Sequence, residues 1–359
     1  MSAGVDGALL FLRWLHFVAA VSLLGVFSFQ CFIGAPAWRE AARAGSGVDP
    51  GAFAAQLRWI GVAALGLTFF SATGWLFLQA SVMSGESLAA VLHSGVAATV
   101  LLRTQVGHVW LGRVLLLTLL ALVLLSWTRP KRSSRVSLSL ALVLASAQLL
   151  GLVWAGHAGA ARGLRGAVEQ TADAIHLLAA GIWLGGLVPL ALLLGAAGRA
   201  DDRGWLVVAQ TASTRFSRLG LLCVLSLLPT GIVNSWFLVG DLGALWRTDY
   251  GRCLLLKLAL FGVALGIAAL NRLRLVPRVS SFAVTAGVNP ARRTIQALQR
   301  NTAIEVGLGF LILGVVGLLG TLPPAAQVHR HLGFTETQDQ SPMSMEIERL
   351  SSKAISAAS

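Results

Sequence analysis

The chain has 359 residues, of which 56% are hydrophobic and 12% charged, with a mean hydropathy of +0.75. Those values exclude an ordinary water-soluble domain. The formal charge of +13 would point to nucleic acid in a soluble protein, but apolar runs long enough to cross a bilayer recur here, so the cations are read as membrane-flanking and no nucleic-acid partner is implied.

The sequence predicts an all-α membrane protein of eight transmembrane helices, at roughly 9–33, 59–82, 106–127, 136–156, 173–196, 216–239, 251–271 and 303–321. The opening residues lack the basic region of a cleavable signal, so the first run is expected to be retained. With the N-terminus outside, the connections 34–58, 128–135, 197–218 and 272–300 face the cytoplasm and carry 17 Lys and Arg; the outer connections and the tail carry 8. That asymmetry places both termini on the outer, periplasmic side. It also places His16, His93, His108, His157, His176, His329 and His331 on the outer side or in the outer part of a span. Membrane lipid is the expected surrounding.

The chain repeats itself. HFVAAVSLLG from His16 matches HLLAAGIWLG from His176 at an offset of 160, Arg58 with Thr73-Gly74 matches Arg215 with Thr230-Gly231 at 157, and Gly112-Arg113 matches Gly251-Arg252 at 139. A displacement of four helices preserves orientation, so two parallel four-helix halves are expected, 1–156 and 157–324, followed by a polar tail, 325–359, rich in Ser, Gln and Glu and expected to be disordered. His16 and His176 then become mates at equal depth, expected to face each other between the halves. Chance likeness between leucine-rich helices is the competing explanation.

Candidate chemistry centres on Glu169–Pro189. At helical spacing Glu169, Asp173, His176 and Trp183 share one face, and an imidazole in an apolar span is a functional hypothesis by default. His176 reads either as a metal or cofactor ligand, with Asp173 and Glu169 orienting it or forming an access site, or as an interfacial histidine bonded to a neighbouring helix. His16 carries the same two readings, with Trp14 as an interfacial belt residue and Arg13 snorkelling to the headgroups. His108 and His157 are auxiliary candidates. Imidazoles with few sulfur ligands suit copper, nickel, zinc or iron, and Met83, at the outer end of the second span, adds a thioether. His329-Arg-His331 and Met343-Ser-Met345 are weaker pairs in the tail. Arg113, Arg252 and Lys257 in the outer third have lipid phosphate, an anionic cofactor, Asp173 and Asp249 as possible partners, or snorkel. Pro189 and Pro229 are expected to break or thin their helices. No Walker loop, nucleophile elbow or HExxH occurs, so hydrolytic chemistry and ATP-driven pumping have no support.

His176 with Trp183-Leu-Gly-Gly186, Arg215-Phe-Ser217, Thr230-Gly231, Tyr250-Gly-Arg252 with Lys257, and Asn271-Arg272 resemble the copper resistance protein D family of bacterial inner-membrane proteins, most strongly over about 170–275. The resemblance implies copper, as Cu(I) or Cu(II), handled at the inner membrane, with His176 and, through the repeat, His16 as ligands, and periplasmic copper-binding proteins as partners. A transport or resistance protein rather than an enzyme is expected. No Met-rich outer loop accompanies it. The alternative is a bis-His haem b protein using His16 and His176, with the outer cations holding propionates.

Overall fold

The structure is a computed structural model and describes residues 3–127, 135–155, 163–200, 202–279 and 288–326. Among them there are eight membrane-length helices and no strand. The spans are α1 (Gly7–Arg43), α2 (Gly51–Ser84), α3 (Gln105–Ser126), α4 (Arg135–Trp154), α5 (Gly163–Arg199), α6 (Arg203–Val239), α7 (Asp249–Val279) and α8 (Pro290–Leu319). Hydrocarbon offers no hydrogen-bond partner to the backbone, so each segment satisfies its own as helix. The protein is an all-α multi-pass membrane protein.

Several helices outrun their apolar stretches. The chain after the first predicted span stays helical: a π-helical turn, Gln30–Gly34, leads into Ala35–Arg43. α7 likewise passes through a π-helical turn, Asn271–Leu275, beyond its predicted end. The predicted outer loop after α2 contains two short helices, Leu88–His93 and Val96–Arg103. Pro189 and Pro229 do not break α5 and α6, which run through them.

The bundle is built around α1 and α5. α1 packs on α2, α4, α5, α6 and α8; α5 packs on α1, α4, α6 and α8; α3 bridges α2 and α4, and α7 leans on α8. α1 meets α5 where Gly25 lies against the Gly185 backbone and Gly185 against the Val21 carbonyl. Small residues allow backbones that close. Leu23, Leu24 and Phe27 of α1 and Leu187, Leu193 and Leu194 of α5 are fully buried around this crossing, whereas Leu115, Leu122 and Leu125 of α3 and Ile232 and Trp236 of α6 face outward toward lipid.

α3 and α7 begin with the same device. The Thr104 hydroxyl accepts from the Gly107 amide at 3.1 Å and donates to the Val100 carbonyl at 2.6 Å; the Thr248 hydroxyl accepts from Gly251 at 3.0 Å and donates to Ala244 at 2.7 Å. Gly107 and Gly251 both lie against carbonyls of the preceding short helix, where a Cβ would not fit. His108 then bonds the Leu102 carbonyl and Arg252 the Trp246 carbonyl, each at 3.1 Å. These matches are all 144 residues apart, not 139, a spacing at which Arg113 aligns with Lys257 and His108 with Arg252.

Candidate functional site: a histidine cluster in each half

His16 lies fully buried on the face of α1 that looks into its own half. Nine residues separate it from Gly25, about two and a half helical turns, so the glycine that meets α5 and the histidine point opposite ways. His176 stands nine residues before Gly185 and is turned away from α1 for the same reason. The expectation that the two rings face each other is therefore not met; each enters a cluster of its own.

The first cluster takes one polar side chain from each of α1 to α4. His16 Nδ1 is 2.9 Å from the Ser71 hydroxyl, His16 Nε2 is bonded to Arg113 Nη2, and the Gln148 amide accepts from Arg113 Nη2 and donates to the Arg113 carbonyl, both at 3.2 Å, in the orientation that satisfies both contacts. A guanidinium only donates, so Nε2 must be the acceptor and Nδ1 carries the proton. Ser71 passes its own hydrogen to the Leu67 carbonyl at 2.6 Å and is free to accept that of His16. Both ring nitrogens are thus occupied. Trp75 packs edge-on at 5.7 Å from the His16 ring, and the Arg13 guanidinium stacks on Trp75 at 4.9 Å while donating to Gly320 at 2.8 Å. Arg13 therefore does not snorkel, and Trp14, which donates to the Phe310 carbonyl at 3.2 Å, serves helix packing against α8. His16→Ala would leave the Arg113 guanidinium, 6% exposed, with one acceptor fewer. We expect a loss of about 3 kcal/mol, read as a lowered melting temperature in detergent.

The second cluster is laid out alike but not filled alike. His176 Nδ1 is 3.1 Å from the Thr230 hydroxyl, which donates to the Ser226 carbonyl at 2.6 Å. Thr230 must then accept, so the His176 proton is on Nδ1 and the lone pair is on Nε2. Among the described residues no protein group is bonded to that nitrogen. Ser71 makes to His16 the contact that Thr230 makes to His176, whereas Thr73 turns its hydroxyl to the Phe69 carbonyl. Asp173, one turn before His176, accepts from Asn234 Nδ2 at 3.4 Å, and Asn234 Oδ1 is buried with no hydrogen-bond partner. Lys257 acts electrostatically on Asp173 and His176, and Glu169 and Tyr250 interact with Asp173.

Charge separates the two clusters. The first holds one permanent cation and no carboxylate; the second sets two carboxylates against one ammonium. A metal cation is repelled by the first and attracted by the second.

The remaining candidates are not gathered here. His108 is exposed and bonds its own preceding helix, and Met83 is 52% exposed at the end of α2. Arg252 pairs with Asp249 at 3.6 Å, exposed on the surface. His157, His329, His331, Met343 and Met345 lie outside the described residues. No group of three His, Cys, Asp or Glu side chains is assembled for a metal among the described residues. Sequence reading missed Asn234, whose only signal is a lone amide one turn past Thr230-Gly231, and Glu305 of α8, a carboxylate in the apolar run TAIEVGLGFLILG.

Residues 4–167 match the family described as copper resistance protein D-like, N-terminal domain, and residues 210–319 match copper resistance protein D. The chain is 33% identical to copper resistance protein D of Pseudomonas syringae pv. tomato over 69% of its length and 78% of the relative's. It is 31% identical to inner membrane protein YebZ of Escherichia coli K12, over 72% and 81% of the two chains. Copper transport protein CutJ of Bacillus subtilis 168 is 28% identical over 73% of this chain and 44% of that protein. No solved structure matches. The chain belongs to the copper resistance protein D family.

Proposed function

We propose that this protein binds copper from the outer face of the bacterial inner membrane at His176 and passes it across the membrane through the C-terminal half. The carrying observation is the state of His176: its Nδ1 proton is held by Thr230, its Nε2 lone pair is presented, and Asp173 and the orphaned Asn234 Oδ1 stand beside it. A ligating imidazole that spends its other nitrogen on a fixed acceptor is oriented and made more basic. Imidazole, carboxylate and amide oxygen are a sparse donor set, and a transported ion needs sites weak enough to leave. The copper named in the descriptions of two relatives supports the choice of metal.

In this reading Glu169, one turn before Asp173, is the access carboxylate. His16 is a structural counterpart of His176, since Arg113 occupies its acceptor nitrogen. His157 remains an auxiliary ligand on sequence grounds. The two halves, 1–156 and 157–324, are parallel repeats, supported by the shared caps of α3 and α7 and by the Ser71 and Thr230 bonds to their histidines. Both termini are periplasmic, where periplasmic copper-binding proteins would deliver the ion.

A bis-His haem does not fit His16 and His176, because the two imidazoles diverge and Arg113 occupies the acceptor nitrogen of His16. Thr230→Val tests the copper reading: losing the acceptor that fixes the His176 tautomer should weaken copper binding about 10–100-fold in equilibrium titration of detergent-purified protein. An unchanged affinity would sink it. His108→Ala and Met83→Ala should bind copper as the wild type does, since both side chains are exposed and remote from the cluster.

A further inference from the structure

Glu305 is a carboxyl in the middle of α8, 3% exposed. Asn271 Nδ2 donates to its Oε1 at 2.6 Å, and Asn301 Nδ2 donates in turn to Asn271 Oδ1 at 2.8 Å. Asn271 opens the π-helical turn of α7, which also carries Arg274, exposed, and Arg272. The Arg272 guanidinium is turned away, donating to the Ser217 carbonyl at 2.8 Å and hydroxyl at 2.9 Å on α6.

No other helix supplies a counter-charge. α5 has no titratable side chain between His176 and Arg199, α1 none between His16 and Cys31, α7 none between Lys257 and Arg272, and α8 none but Glu305 itself after Arg300, which is exposed; α6 offers only Cys223 beyond Arg218, and Arg218 is also exposed. Arg215 of α6 is engaged with the Phe32 carbonyl. The ion pairs among the described residues, Arg43 with Glu40 and Arg252 with Asp249, are elsewhere. An unpaired carboxylate in an apolar interior is costly, and such a group relieves the cost by holding a proton. Asn271 can serve either state, donating to the ionised oxygen or to the carbonyl oxygen of the acid.

Position adds to this. Leu184 of α5 lies against Gly309, and Gln299 of α8 against Gly195. Glu305 is therefore roughly 20 Å along α5 from His176, in the same half and toward the opposite end of the bundle.

We propose that Glu305, held by Asn271 and Asn301, is a proton-binding site whose carboxyl exchanges one proton with the cytoplasmic side as copper crosses. The exchange is COOH giving COO⁻ and a free proton, with the Asn271 N–H bond stabilising the anion. This rests on the copper reading only for its coupling.

Two measurements test it. Dicyclohexylcarbodiimide adds to protonated carboxyls in apolar surroundings to give an N-acylurea. In the wild-type protein, peptide mass analysis should find the adduct on Glu305, diminishing as pH is raised; no adduct at any pH at which the protein stays folded overturns the proton site. In proteoliposomes with a trapped pH dye, copper addition should move protons with the wild type and not with Glu305→Gln, while equilibrium copper binding in detergent is the same for both. Proton movement retained by Glu305→Gln overturns the coupling. If the wild type binds no copper, the copper reading fails and the carbodiimide result still decides the proton site. Asn271→Ala provides a second variant and should accelerate labelling by removing the donor that holds the anion.

Discussion

His176→Ala protein purified in detergent is expected to lose its stoichiometric copper, whereas His16→Ala protein should keep it and melt at a lower temperature. This opposition follows from one hydrogen bond. The acceptor nitrogen of His16 is already used by Arg113, and that of His176 has no partner among the described residues. Asp173→Asn should bind copper more weakly than wild type but retain some, because the variant loses the charge that balances Lys257 and keeps an oxygen donor. Copper retained in full by His176→Ala, or lost by His16→Ala in a sample that is still folded, would reverse the assignment. In cells, the same His176→Ala variant should abolish whatever difference in copper accumulation the wild-type protein produces.

Gly185→Val should prevent the protein from assembling. A Cβ at Gly185 overlaps the Val21 carbonyl and the Gly25 backbone, and one at Gly25 overlaps the Gly185 backbone. Overpacking against side chains costs about 1–3 kcal/mol because rotamers give way; backbone in a neighbouring span has no rotamer to change, so α1 and α5 must separate. Their buried leucines and phenylalanines form the middle of the core, and the loss should exceed that range. The readout is the fraction of monodisperse protein by size-exclusion chromatography after extraction. Gly262→Ala is the matched control: its Cβ would meet nothing within 4 Å, so the gain in helix propensity of about 1 kcal/mol should leave assembly intact.

The eight spans were legible because a bilayer demands long apolar runs, and their number does not depend on which helix touches which. For the expected repeat, identical letters and capping geometry pair different residues. Matching identical letters aligned Arg113 with Arg252, whereas the caps of α3 and α7 align it with Lys257. The cap is a threonine three residues before a glycine, and its meaning depends on the carbonyls of a short preceding helix that apolar periodicity does not reveal. The direction of the two histidines was in the sequence and was missed, since nine residues from a helix-crossing glycine is the opposite face. What sequence could not supply was the occupancy of each imidazole, which depends on Ser71, Arg113 and Gln148 in one half and Thr230 and Asn234 in the other. These residues are far apart along the chain and are brought together only by packing. Glu305 was overlooked because attention to histidines passed over a lone carboxyl in an apolar run.

The π-helical turns carry a further consequence. An α-helix advances about 100° per residue, and a π-turn admits one extra residue without lengthening the span by a full step. Everything beyond Asn271 is thereby rotated relative to the rest of α7, where adjacent side chains, about 100° apart, address different helices, Asn271 toward α8 and Arg272 toward α6. A bulge of this kind can travel along a helix by exchanging hydrogen-bond partners one carbonyl at a time. Moving it by a single residue would swing both side chains together, withdrawing the amide from Glu305 and the guanidinium from Ser217 in the same event. Deleting one residue from Asn271–Leu275 should therefore release both contacts while leaving the cluster at His176 in place.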